Sequence, residues 1–187
     1  MFNLSRRITV RDVSIISVLT AVCVAGNYIL IGIPNVKIMD LIAFSTGFVF
    51  GSYVGALTGV LAWAVYGVIN PFGFSLPILW ATMAGEAIFG AVGGLVGKSQ
   101  PDMTNVFKFS VEMALWGFVL SVSYDLLTNI VFALTFGASI LQAIVTGWLM
   151  PPWFGFLHEA SNTLLFLSAV RPTVKAIERG RRGETNE

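Results

Sequence analysis

The stretch HEASN, His158 to Asn162, puts a histidine, a glutamate and an asparagine into the otherwise apolar run PPWFGFLHEASNTLLFLSAVRP. A helical H-E-x-x-H would hold zinc through two histidines one turn apart, with the glutamate as general base. Here Asn162 stands where the second histidine belongs. The chain has 1 His and 1 Cys, so a closed zinc site of nitrogen and sulfur ligands is excluded. Hydrogen-bonding chemistry remains. His158 and Asn162 fall one turn apart on one helix face, with Glu159 beside them.

Further polar residues sit in apolar surroundings: Glu86, Asp125 and Asn129. Ionisable groups inside a membrane are costly and mark functional sites by default. Counted from the ends of their apolar segments, Glu86, Asp125, Asn129, His158, Glu159 and Asn162 converge on the outer half of the chain's membrane region. Asp40 and Lys37 fall at the outer end of the second helix. Trp80, Tyr124, Trp148 and Trp153 supply aromatic walls. A pocket with a few placed polar groups and aromatic sides is the usual form of a small-molecule site. An excess of acids over the one histidine favours a ligand with amine or cationic groups, and aromatic rings add to the attraction. The competing use of these residues is interhelical hydrogen bonding, for example His158 to Asp125 and Asn162 to a neighbouring backbone. The inner half carries no matching polar path apart from Glu112 near Lys108.

The elements that must position these groups follow from composition. The 187 residues are 56% hydrophobic and 11% charged, with a mean hydropathy of +0.81; soluble domains carry about 25% charged residues. An all-α integral membrane protein with one domain is expected. Cys23 alone excludes an internal disulfide. No cleavable signal is expected, because the apolar run after the basic start Met1 to Arg11 is long and lacks a small-residue processing site.

Apolar segments fall at 12–33, 40–70, 77–97, 106–136 and 139–170, several ending at Pro34, Asn70-Pro71, Pro101, Pro151-Pro152 and Pro172. Segment 40–70 is long for one crossing and short for two. Gly47, Gly51, Gly55 and Gly59 recur in it, and Gly51-Ser52-Tyr53 suits a tight turn. With six transmembrane helices and both termini cytoplasmic, every basic residue except Lys37 lies inside; five spans would set the basic start against the basic end. Six helices are therefore expected, with short second and third helices. Ser139 to Met150 is expected as a helical piece outside or dipping into the outer leaflet, and Trp153 to Val170 as the sixth span. The domain plan is a cytoplasmic segment 1–11, a six-helix substrate-binding domain 12–176 and a cytoplasmic tail 177–187, frayed from Arg179 onward.

Helix 1 carries Ser14, Ser17, Ala21 and Ala25 at spacings that make one small-residue stripe, a face on which another helix can approach closely. The piece GGLVGKS, Gly93 to Ser99, is not a phosphate loop: Val92 stands where the pattern needs glycine, and a helix rather than a strand precedes it. Any ATP hydrolysis must belong to another chain. A rhomboid-type protease would need G-x-S-G, and a phosphotransferase an aspartate-rich cluster; the sequence has neither.

From about Val10 to Lys175 the chain resembles the substrate-binding S component of energy-coupling factor (ECF) type ATP-driven vitamin importers. The residues that carry the resemblance are AVCVA, Ala21 to Ala25, similar to the A-x-x-x-A motif of that family's helix 1; FVFGSYVGALTGVLAW, Phe48 to Trp63, similar to its glycine-rich passage from helix 2 to helix 3; and FGFLHEASNTLLF, Phe154 to Phe166, similar to its sixth helix. The resemblance implies a prokaryotic plasma-membrane location, a transmembrane T component docked on Ser17, Ala21 and Ala25, and a pair of partner ABC ATPases. It also implies a substrate-binding subunit that topples in the bilayer to deliver its cargo. It implies no cofactor, no metal and no nucleic-acid partner, and no enzymatic activity in this chain. The substrate would be a vitamin or related small ring compound, with a thiamine-like molecule favoured because Glu86 and Asn162 resemble binding positions of thiamine-type members. The substrate-binding set is then Glu86, Asp125, Asn129, His158, Glu159, Asn162, Trp80, Tyr124 and Trp153. The runner-up is a stand-alone secondary transporter of a small organic solute, which an inverted repeat or inner-half polar residues would favour.

Overall fold

The computed structural model describes residues 8–69, 71, 73–151 and 153–183. Arg6, Arg7, Asn70, Pro152 and residues 184–187, which entered the expectations above, lie outside the described residues. Among those described, the protein is all-helical, with α1 Val10–Ile29, α2 Met39–Phe50, α3 Ser52–Ile69, α4 Leu76–Lys98, α5 Val106–Phe136, α6 Ile140–Leu149 and α7 Phe154–Gly183.

Local signals explain where these helices begin and end. Thr9 and Asp12 form a capping box on α1: the Thr9 hydroxyl accepts from the Asp12 amide at 3.2 Å, and the Asp12 carboxylate accepts from the Thr9 amide at 3.0 Å. Pro77 occupies the first turn of α4, where a missing N–H costs nothing. The Asn105 side chain caps α5 by accepting from the Lys108 amide at 3.1 Å, and Gly137 ends it in the left-handed region. Segment 40–70 breaks at Gly51, whose φ of 97° suits glycine, within the turn read from the sequence. α2 itself lacks a cap from its own N-cap residue. Asn27 of α1 substitutes, its side-chain oxygen accepting from the Ile38 and Met39 amides at 3.2 and 3.4 Å.

Four helices, α1, α3, α4 and α5, are long and apolar enough to cross a membrane. α6 and α7 make a fifth if the pair, bent by 59°, counts as one span. This is a multi-pass membrane protein, and outward apolar side chains such as Val18, Leu61, Leu95, Leu115, Phe118 and Leu164 are exposed along its helices. Six full spans are more than helix length alone supplies. α2 has 12 residues, about 18 Å of helix against a hydrocarbon core of about 30 Å. It is instead a buried helix, with Met39 through Gly47 all out of solvent. A helix apolar on every side belongs inside a bundle, and α2 packs against α1, α3, α4 and α7.

Two features differ from the sequence reading at the C-terminal end. Pro172 does not stop α7, and the segment from Arg179 is helical as far as Gly183. Val170 and Val174, both fully buried in the main core, bracket the proline and hold the helix to the bundle across it. Arg171 donates to the Met103 carbonyl at 3.1 Å in the α4–α5 loop.

The bundle has two distinct ends. At one, Arg11 donates to the Arg181 carbonyl at 3.3 Å and Arg181 to that of Val49 at 3.5 Å, so the start of α1, the end of α2 and the end of α7 meet there. The other end gathers the α1–α2 loop, the start of α4 and the start of α7. The α1–α2 loop is tied to α7 by Asn35, which donates to the Phe154 carbonyl at 2.7 Å.

Candidate ligand-binding site

Two pairs of side chains, each one helical turn apart, face each other across α5 and α7. α5 presents Ser121 and Asp125; α7 presents His158 and Asn162. Asp40, near the start of α2, reaches both members of the α7 pair. His158 Nε2 lies 2.7 Å from Asp40 Oδ2, and Nδ1 lies 3.0 Å from Asp125 Oδ1. Asn162 Nδ2 donates to Asp40 Oδ2 at 2.6 Å and to the Ser121 hydroxyl at 2.8 Å. His158, Asp40, Asn162 and Ser121 are fully buried, and Asp125 nearly so. With a carboxylate on each ring nitrogen, both hydrogen bonds form only if the three groups share enough protons between them, so Asp40, His158 and Asp125 act as one hydrogen-bonded unit. The interhelical pairing of His158 with Asp125 read from the sequence is thus present, extended by Asp40.

Glu86 of α4 is also fully buried. Asp40 and the Trp63 indole are its polar neighbours, yet neither Glu86 oxygen has a hydrogen bond within the molecule. Buried polar groups are nearly always paired. The same is true of Asp40 Oδ1, Asp125 Oδ2, Trp63 Nε1 and the Tyr124 hydroxyl, none of which has a partner. Free hydrogen-bonding capacity therefore collects around one place.

Two adjoining cavities open over this cluster at the end that holds the α1–α2 loop. One measures about 340 Å³ and reaches Asn27, Tyr66 and Leu79. The other measures about 300 Å³ and reaches Tyr124, Asp125, Thr128 and Asn129. Lys37 and Trp63 border both. Pockets for small molecules span about 300–1,000 Å³, so each lies at the small end of that range.

The residues expected at the site take different positions. Asp125, Asn129 and Tyr124 line the second cavity. Tyr124 packs edge-on to His158, with ring centroids 5.3 Å apart. Asn129 packs against Gly147, where a Cβ would overlap its side chain. His158 and Asn162 lie behind the wall, and Glu86 sits beneath it; none of the three borders either cavity. Glu159 is half-buried at the base of α6, near Trp148. Trp80 and Trp153 are exposed, at 62% and 53%, and border neither cavity. The aromatic walls come instead from Trp63, Tyr66, Tyr124 and Phe154.

Asp40, Lys37, Trp63 and Ser121 were outside the expected set. Asp40 and Lys37 carried a signal: they are the last charges before an uncharged stretch running to residue 85. Trp63 and Ser121 carried none, because a tryptophan or serine in a membrane helix is ordinary until the fold shows what it faces. The α1 stripe of Ser14, Ser17, Ala21 and Ala25 is exposed along its whole length, while Asp12, Ile16, Thr20, Cys23 and Asn27 form the buried face. Among the described residues no group of acidic, histidine or cysteine side chains is arranged to hold a metal ion.

Fold and site together define a polytopic α-helical membrane protein with a small aromatic cavity over a buried polar cluster. The chain matches no protein-family model, no curated protein and no solved structure.

Proposed function

We propose that this chain is the substrate-binding subunit of an ECF-type ATP-driven importer, taking a vitamin or related small ring compound, with a thiamine-like molecule the favoured kind. The observation that carries the proposal is the asymmetry of the bundle. Cavities and unpaired polar atoms gather at one end. The part of the core that α5 and α7 share toward the other end is filled by Phe109, Met113, Phe166, Val170 and Val174. A binding subunit needs one accessible site and a partner to move it; a carrier acting alone needs a route through. The exposed stripe Ser17, Ala21, Ala25 supports docking to a transmembrane T component, which would bring two ABC ATPases. In this reading the protein sits in a prokaryotic plasma membrane, the basic end faces the cytoplasm by the positive-inside tendency, and α2 with α3 complete a six-helix layout. The test is to purify the chain alone in detergent, denature it and identify any released small molecule by mass spectrometry. A stoichiometric vitamin-like compound is the expected result. An empty chain that also binds nothing from a vitamin panel overturns the proposal.

One observation favours the alternative, a stand-alone secondary transporter. The Asp40–His158–Asp125 chain is the kind of buried titratable relay that couples proton movement to transport. Substrate uptake by the chain reconstituted alone in vesicles under a pH gradient, with no ATPase present, would favour that reading.

A further inference from the structure

Among the described residues, Lys37 is the cation that lies beside the buried acids without being locked among them. Its ammonium lies 4.8 Å from the centroid of the Tyr124 ring and 5.3 Å from that of Trp63. Those rings are 6.4 Å apart and tilted by 30°, so they form two walls of an open aromatic cage. Its partners are ring faces rather than a carboxylate. Directly beneath, Glu86 is fully buried with both oxygens unpaired, and Asp125 and Asp40 each keep one free oxygen. The walls add free donors, the Trp63 indole N–H and the Tyr124 hydroxyl. Ring faces attract cations, and unpaired carboxylate oxygens require N–H donors. Lys37 meets the first demand and leaves the second unmet.

Lys37 is also placed to leave. It sits in the α1–α2 loop, two residues after Asn35, whose φ of 54° marks a sharp turn. It borders both cavities, and its long stem lets the charged head swing outward to water at small cost. We propose that Lys37 is a tethered occupant of a cation subsite between Trp63 and Tyr124. The ligand is a small aromatic cation, an amine or amidine type, whose charged nitrogen displaces the Lys37 ammonium and donates to Asp125, which lines the cavity, while the buried Glu86 carboxyl contributes its charge from behind the wall. This rests on the reading of the cavities as a ligand-binding site and narrows its substrate class. Affinity is then set partly by competition with the protein's own side chain: the apparent constant weakens by the fraction of molecules in which the cage is free.

The test uses the full chain in detergent and four matched probes: benzamidinium and benzylammonium as cations, benzyl alcohol as the neutral analogue and benzoate as the anion. Dissociation constants come from ligand-observed NMR. Wild type should bind the cations more tightly than the alcohol and the alcohol more tightly than benzoate. Lys37→Met keeps the stem and removes the charge; it should tighten cation binding about tenfold, as for a cage otherwise nine-tenths occupied, and change benzyl alcohol little. Cation affinity that is unchanged or weaker in Lys37→Met overturns the proposal. So does a preference for benzoate that Lys37→Met abolishes, which would make Lys37 an anion-binding residue. If Lys37→Met does not fold, Glu86→Gln decides the matter, since it should weaken the cations and spare the alcohol; equal affinity for cations in Glu86→Gln overturns the proposal. The importer reading fails separately. Release of an anionic vitamin-like compound would retain that reading and sink this one, whereas cation-selective binding by a chain that never assembles with a coupling component would do the reverse.

Discussion

Helix α2 is held on its two sides by opposite means. Toward α3 and α4 the contact is backbone on backbone. A Cβ on Gly47 would overlap the Gly90 carbonyl, one on Gly55 would overlap the Gly47 backbone, and one on Gly93 would overlap the Phe44 carbonyl. Toward α5 and α7 the contact is a chain of buried hydrogen bonds from Asp40 through His158 and Asn162 to Asp125 and Ser121. In a bilayer, helices gain little from hydrophobic association with one another, so close approach and polar bonds are the available forces. The glycine contacts use the first and leave no room between backbones; the polar cluster uses the second, and the cavities open above it, bordered by α3 and α4 as well as by α5 and α7. The cavities collect where polar groups remain partly unpaired.

The polar side should be the more fragile. His158→Ala strands two buried carboxylates, Asp40 and Asp125, and breaking a buried pair in this way costs about 3–5 kcal/mol. The thermal midpoint in detergent should fall by the largest amount in the set. Should it hold at the wild-type value, the cluster is not what joins α2 to α5 and α7.

Gly90→Val tests the other side. The atoms nearest an added Cβ are Gly55 and Ala56 backbone, which cannot give as a side-chain tip would, and overpacking of this kind costs about 1–3 kcal/mol. The loss should appear as a lower midpoint and earlier proteolysis between α3 and α4. Equal loss in Gly32→Val, where an added Cβ meets nothing within 4 Å, would show that the close approach is not responsible.

Asn162→Ala should cost less than either, about 1 kcal/mol, in line with single hydrogen bonds between membrane helices. Asp40 keeps its bond to His158 in that variant. Since Asn162 borders neither cavity, ligand affinity should fall only modestly, and less than in Asp125→Asn, which alters a lining residue. A larger loss of affinity in Asn162→Ala than in Asp125→Asn would place the ligand deeper than the cavities suggest.

The glycine side was legible in the sequence and the polar side only in part. The spacing of Gly47, Gly51, Gly55 and Gly59 and the break near Gly51 are local signals, and the fold uses them locally. The pairing of His158 with Asp125 followed from depth along two helices. Asp40 does not join them on that argument, because it falls at the outer end of the second helix rather than at their depth. The fold makes α2 short and buries its start under the α1–α2 loop, with Asn27 of α1 bound to its first amides. The choice of tryptophans was likewise not a matter of depth. Trp63 faces the cavities while Trp80 faces outward, and rotation about a helix axis is set by neighbours that an almost uniformly apolar segment does not reveal. α7 continues past Pro172 for the same kind of reason: buried valines on both sides outweigh one lost backbone bond.

The smallest expected effect on stability separates two uses of small residues. Gly47 and Gly90 are small because a neighbour's backbone occupies the space. Ala21 and Ala25 are small on an exposed face of α1. Ala21→Trp combined with Ala25→Trp should therefore leave stability within about 0.5 kcal/mol of wild type, as for substitutions away from buried features, and the thermal midpoint nearly unmoved. If the stripe is a docking face, the same double variant should lose co-purification with a T component while keeping its ligand. A variant that destabilises the isolated chain would instead make the stripe part of the bundle's own packing. One that is stable and still assembles would leave the exposed small residues of α1 without the role that the buried glycines of α2 and α4 fill inside the molecule.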